Sequence, residues 1–555
     1  MRQLRMRFGT TLMAMGLMAL GVACSDDTTD PTGPATPTGV TLTQLSLISV
    51  RVSWTAATGA ETYVVERASA ANPGVFAVMS DTVTGTQYDD TGLTAGVAYS
   101  YRVSAEGDGV TSDPSTVVTV TTGTATATLS GDITANRTLF KDTVYTLSGY
   151  VKVKNGATLT IQPGTRIVGD VAVLGSSLWI TRGAQINAVG TMDEPIVFTS
   201  ARDRGTRKPG DWGGIIIIGN GIINRTTSPV STEGPGTVAE DYSGGNDNAS
   251  TSGTLKYVRI EFAGYDVSNG GGQELNSLSS YAVGSGTTYE YVQSMSGLDD
   301  SFEFWGGAVR GKYLISYEAG DDHFDWSEGY VGKLQYLIAF QSQQLQPAAG
   351  TGTVSSDPRG FEADGCDPAL AGCAITNTPY SNPTISNFTL VGTGALGGFP
   401  SDGNGIVLRR GTGGYLFNGI VTRYKGTGCQ MRDTFTDTQR VNGELDISNV
   451  IFGNNTANYD NNGADTTGSA ARFCQAGDWA ANNHRTNVVA AAELFASLNP
   501  ASLDFSPVAG QLADTMTVTI ALPAARLGGY LDATTFVGAS DGTKWWETWS
   551  TYLIN

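Results

Sequence analysis

The strings Asp299-Asp300-Ser301-Phe302-Glu303-Phe304-Trp305 and Asp321-Asp322-His323-Phe324-Asp325-Trp326-Ser327 carry one pattern, 22 residues apart. A unit this short cannot bury its own apolar face, so successive copies must stack and share a core. Apolar residues at alternate positions make each copy a strand with one inward face. Stacking predicts Phe302 over Phe324 and Phe304 over Trp326, an inward aromatic ladder. Asp299 beside Asp321 and Glu303 beside Asp325 would then lie one strand spacing apart, about 4.8 Å. The side on which Asp300 and Asp322 fall depends on the local turn, and both sides stay open.

The period extends beyond these two copies. Segments of related form align Val258, Val292, Leu314, Leu337, Phe388, Ile420 and Val450, with separations of 34, 22, 23, 51, 32 and 30 residues. A base coil near 22 residues with inserted loops accounts for that series. Shorter units begin near Thr124, as in residues 156–167 (GATLTIQPGTRI) and 178–186 (LWITRGAQI). The stretch 226–252, rich in Gly, Ser, Asp and Asn, has no apolar period and reads as an inserted surface loop where a partner could be recognised. The Asn-rich run 454–462 reads as a loop.

The N-terminus has a different character. Arg2, Arg5 and Arg7 precede the apolar run 10–23, too short to span a bilayer, and the pattern is that of a signal peptide over 1–23. Leu20-Gly21-Val22-Ala23-Cys24 resembles a bacterial lipobox, although Gly21 stands where the motif usually has Leu. The resemblance implies lipidation of Cys24. Ser25 and the acids after it resemble signals for outer-membrane, cell-surface placement. Residues 24–37 form a Pro/Thr/Asp tether with little apolar content, predicted to be extended. From 38 to 123, about seven short alternating strands predict a small sandwich. Trp54 on the second strand, Tyr63 and Glu66-Arg67 on the third, and the corner Leu93–Tyr99 resemble a fibronectin type III domain.

Residues from about 125 to 555 resemble the pectin-lyase-like superfamily of right-handed parallel β-helices. The similarity is closer still to a group of surface β-helix lipoproteins of Gram-negative bacteria. It is carried by residues 209–221 (PGDWGGIIIIGNG), 283–307, 320–330 (GDDHFDWSEGY) and 536–552. It implies an all-β chain with the helix over 124–500. An open β-helix end exposes unpaired strand groups, so the segment 501–555 is expected to cap it, with Trp545, Trp546 and Trp549 closing the end. It implies a location and no particular activity.

Asp299, Asp300, Glu303, Asp321, Asp322 and Asp325 are the candidate metal ligands. Two carboxylates about 4.8 Å apart repel by roughly 3.5 kcal/mol at an effective dielectric of 20. Ca²⁺ accepts six to eight oxygens in irregular geometry and suits the set; the competing reading is Asx turns facing water. His323 reads as an exposed turn residue. Trp305, Trp326 and Tyr330 are candidates for stacking on sugar rings, or else core residues. Paired acids also suggest a polysaccharide hydrolase or lyase. However, the Asn-Thr-Asp, Gly-His-Gly and Arg-x-Lys motifs of polygalacturonase-type enzymes are absent, and only two His occur. Arg310, Lys312 and Arg359 are available as lyase bases.

Apart from Cys24 there are four Cys, an even count that suits two bridges in an oxidising compartment. Of three pairings, Cys366–Cys373 with Cys429–Cys474 joins neighbours, contributing about 2.5 and 4 kcal/mol. A net charge of −19 argues against nucleic acid and anionic lipid. The expectation is a non-catalytic surface lipoprotein offering a β-helix face to a glycan or protein. The alternatives are a polysaccharide-active enzyme and an accessory lipoprotein of an outer-membrane transporter.

Overall fold

The computed structural model describes residues 33–268, 273–394, 403–460, 485–486, 494–508, 526 and 528–552. The signal segment, Cys24, most of the tether and Cys474 lie outside the described residues. The chain divides into two compact units at Gly123/Thr124.

In the first unit, a three-stranded sheet (Thr38–Ser46, Ser49–Thr55, Gln87–Thr91) and a five-stranded sheet built around Thr62–Ser69 and Ala98–Gly107 enclose one apolar core. All pairings are antiparallel. Trp54 packs edge-on to Tyr63 with ring centroids 5.2 Å apart. The Tyr99 hydroxyl accepts the Thr94 N–H at 3.0 Å, which pins the expected corner.

The second unit is a parallel β-helix with an eleven-stranded and a fifteen-stranded sheet, every pairing within them parallel. Phe302 registers with Phe324, and their rings stack at 5.0 Å. Phe304 registers with Trp326, but its ring stacks on Tyr330 instead. The ladder Val258, Val292, Leu314, Leu337, Phe388 continues to Gly419, one residue before the expected Ile420, and then to Val450. The Phe388 ring explains the glycine, because a Cβ at 419 would meet that ring at 2.0 Å.

Each long strand of the fifteen-stranded sheet bends at one left-handed residue. These are Tyr257, Tyr291, Tyr313, Tyr336, Asn387, Asn418 and Asn449, with φ from 49° to 59°. The left-handed region costs an ordinary residue about 1–2 kcal/mol. Asn tolerates it through local hydrogen bonding. The four Tyr rings stack on one another at 4.4, 4.4 and 4.7 Å, each pair offsetting about 0.5–1.5 kcal/mol.

Residues 528–552 form a lateral strap where an end cap was predicted. Gln335 binds the Asp532 backbone, Asn387 donates to the Phe536 carbonyl, and Gly538 donates to the Asn418 carbonyl. The chain then turns back: Trp545 meets Tyr313, Trp549 meets Tyr291 and Tyr257, and Thr551 binds Gln293. The three tryptophans therefore cover the outer face of the bent sheet.

Cys366 and Cys373 form the expected short bridge, with Cα atoms 5.2 Å apart. Cys429 is also disulfide-bonded. The 226–252 insertion packs onto the sheet, with Val230 and Tyr242 buried against Trp179, Ile216, Tyr281 and Trp305. In the Asn-rich run, Ala457–Asp460 is a strand that ends the eleven-stranded sheet; 461–462 lie outside the described residues.

Candidate metal centre

The strands Phe302–Trp305, Phe324–Ser327 and Phe361–Asp364 are neighbours in the eleven-stranded sheet. Their alternation turns Phe302, Phe304, Phe324, Trp326, Phe361 and Ala363 into the core. It leaves Glu303, Asp325 and Glu362 in register on the outer face, successive carboxylates about 4.8 Å apart along the ladder. The turns ahead of the first two strands add Asp299, Asp300, Asp321 and Asp322. Asp300 Oδ1 accepts the Asp322 N–H at 2.7 Å, and the Asp300 N–H donates to Asn276 Oδ1 at 3.0 Å. The Asn276 amide in turn donates to Glu303 at 2.5 Å.

These carboxylates form three overlapping triads, Asp299–Asp300–Asp321, Asp300–Glu303–Asp325 and Asp322–Asp325–Glu362. Within each, one oxygen per residue lies within 4.8 Å of the others. That spread matches oxygens sharing one Ca²⁺ at about 2.3–2.6 Å. All six predicted ligands are brought together, and Glu362 is a seventh. Asp321 Oδ1 and Asp325 Oδ1 are buried with no hydrogen-bond partner, and Asp325 as a whole is only 8 % exposed. An oxygen-only set with buried, unpartnered acceptors fits a hard divalent cation.

Residues 131–493, more than half of the chain, match the family described as pectate-lyase-like β-helix domains. The chain belongs to the pectate-lyase-like β-helix family. Residues 35–121 match the fibronectin type III domain. The chain is similar to exoglucanase B of Cellulomonas fimi, 28% identical over 301 residues that cover 52% of this chain and 25% of that protein. It is also similar to chitinase C of Streptomyces lividans, 45% identical over 78 residues, covering 14% and 11%. It spans about a quarter or less of the length of these relatives. The solved structure of an Fn3-like protein from Clostridium thermocellum is 31% identical, with a TM-score of 0.14. It covers 16% of this chain and 90% of that one.

Among the described residues of this pectate-lyase-like β-helix, arginines pair with the acidic row at one end. Arg359 reaches Asp322 at 3.1 Å, Asp357 at 2.8 Å and Glu362, while Arg409 pairs with Glu362 at 2.5 Å and Asp364 at 2.6 Å. Among the described residues, Asp299, Asp300, Glu303, Asp321 and Asp325 have no ion-pair partner. Burial, and then mutual repulsion, pushes Asp299, Asp300, Glu303 and Asp325 well above the usual carboxylate range. Burial raises Asp321 to about 6 and Asp322 to about 7, with Arg359 opposing the rise. Burial, with Asp322 and Asp364 alongside, raises Glu362 to about 8. Protonation or a cation must relieve such a row.

For the aromatic residues the core alternative holds, and for His323 the expectation is corrected. Trp305, Trp326 and Tyr330 are all buried and offer no face to a sugar. Trp305 stacks under Tyr281 at 3.9 Å, Trp326 Nε1 donates to Thr412, and the Tyr330 hydroxyl donates to the Val309 carbonyl. His323 is buried, not exposed. Its Nδ1 lies 2.5 Å from Ser316 Oγ, and burial lowers its pKa to about 3, so the ring is neutral.

The repeat did not point to Glu362, Asp364 or Arg409. Residues 341–360 lengthen that coil, so Asp325 registers with a residue 37 positions on.

Proposed function

We propose that this protein is a non-catalytic, Ca²⁺-binding surface module, anchored to the outer membrane through lipid on Cys24 and presenting its β-helix to a glycan or protein partner. The observation that carries the cation reading is the chain of three carboxylate triads joined through Asp300 and Asp325. The names of the exoglucanase and chitinase relatives support a carbohydrate setting. A polysaccharide-cleaving enzyme is the second reading, because Arg359 stands beside paired acids. Burial argues against it: Asp300, Glu303, Asp322, Asp325 and Glu362 are each no more than 9 % exposed, too little for a polymer to reach them.

Terbium tests the cation reading, since it occupies Ca²⁺ sites and is sensitised by nearby indoles such as Trp305. Saturable luminescence displaced by Ca²⁺ supports the proposal. Emission no stronger than for free terbium would remove the ion. Cleavage of an acidic polysaccharide that depends on Arg359 would favour the enzyme.

A further inference from the structure

A second charged site lies on the other sheet and is opposite in sign. A cavity of about 320 Å³ is lined by Arg166, Arg204, Arg207, Arg259 and Glu261. Its floor is the fifteen-stranded sheet, where Arg166, Val197 and Arg259 stand in register on successive strands. Arg204 and Arg207 come from the turn after the strand Ile196–Ser200, and Thr551 of the strap forms part of a wall.

Four guanidinium groups thus face one carboxylate, in a chain whose net charge is −19. Glu261 is committed: it pairs with Arg259 at 2.5 Å and with Arg207 at 3.9 Å. Arg207 Nε also donates to the Arg202 carbonyl at 3.1 Å. Arg166 and Arg204 have no ion-pair partner among the described residues. Burial, followed by repulsion from Arg207, lowers the pKa of Arg166. A cluster of like charges in a concave, partly desolvated place is relieved by an anion.

We infer that this cavity binds a tetrahedral oxyanion, sulfate or phosphate, either free or as the ester of a sugar-sized group. Guanidinium donors form forked, charge-assisted hydrogen bonds with such oxygens. Donors on the sheet and on the loop approach from two sides, which suits an anion with oxygens in every direction better than a flat carboxylate. The volume lies at the low end for small-ligand pockets, about 300–1,000 Å³, enough for the anion and one ring. Phe262 and Met295 give that ring an apolar wall.

The test is calorimetric titration of the full chain with sodium sulfate, sodium phosphate, glucose 6-sulfate and glucose. The inference predicts saturable binding of sulfate and phosphate and none of glucose. Tighter binding of glucose 6-sulfate than of sulfate assigns an esterified sugar; equal binding assigns the free anion. Arg166 and Arg204 hold no ion pair among the described residues, so Arg166→Gln/Arg204→Gln breaks none and should fold with an unchanged melting temperature. It should bind sulfate about tenfold more weakly or worse. Asp325→Asn should bind sulfate normally, which separates this site from the cation row. No binding by the wild-type chain, or equal binding by the double variant, overturns the inference.

Discussion

Asp325 stands directly across from Glu362 in the parallel ladder, carboxylate beside carboxylate, on a face that solvent barely reaches. Their repulsion is tolerable only if a proton or a cation is shared nearby. Asp325→Asn removes one of the two charges. In chelator at pH 8 it should therefore stabilise the protein by roughly 1 kcal/mol, as relieving like charges across a strand pair does. A higher denaturation midpoint than wild type checks this; a lower one contradicts it.

The same register shows what the sequence could convey. The 22-residue echo placed Glu303 against Asp325 and Phe302 against Phe324, because nothing interrupts the chain between those coils. Glu362 escaped because an inserted loop broke the spacing. The Tyr/Asn bend ladder left no periodic hydrophobic signal, since what its residues share is a positive φ. Trp545, Trp546 and Trp549 announced burial but not what they bury, and composition does not separate an end cap from a lateral strap. Trp305 could be read either as a sugar-stacking face or as core, because the insertion that covers it, 226–252, looked like free loop.

Arg359 is the cation that holds one end of the row together, engaging Asp322 and Glu362 while 8 % exposed. Arg359→Gln leaves both acids buried without it and should cost about 3–5 kcal/mol in the cation-free protein. Chemical denaturation in chelator measures the loss. Added Ca²⁺ should recover more stability in this variant than in wild type.

Stability in chelator should fall as pH rises from 6.5 to 8. Asp322 and Glu362 keep protons in the folded state up to about 7 and 8, whereas the unfolded chain has already lost them. Below pH 6.5 His323 acts in the opposite sense. It is neutral when folded down to about 3, so acid favours the unfolded chain. Melting temperature against pH, with and without Ca²⁺, tests this. The two curves should diverge as pH rises, since ionised carboxylates bind the ion and Ca²⁺ displaces their protons.

The strap depends on its indoles. Trp549 is fully buried and meets Tyr257 and Tyr291 edge-on, so Trp549→Ala should cost about 3–5 kcal/mol. Limited proteolysis should then cut within 528–552 before the β-helix itself is attacked. Simultaneous digestion of both would mean that the strap is not a separate layer.

The most direct test of the cation reading is calorimetric titration of Ca²⁺ into the protein at pH 7.5, beside Asp325→Asn. Asp325 belongs to two of the three triads. The account predicts saturable binding with proton release in the wild type, and loss of most of that heat in the variant. No heat in the wild type, or the same isotherm for both proteins, would contradict it.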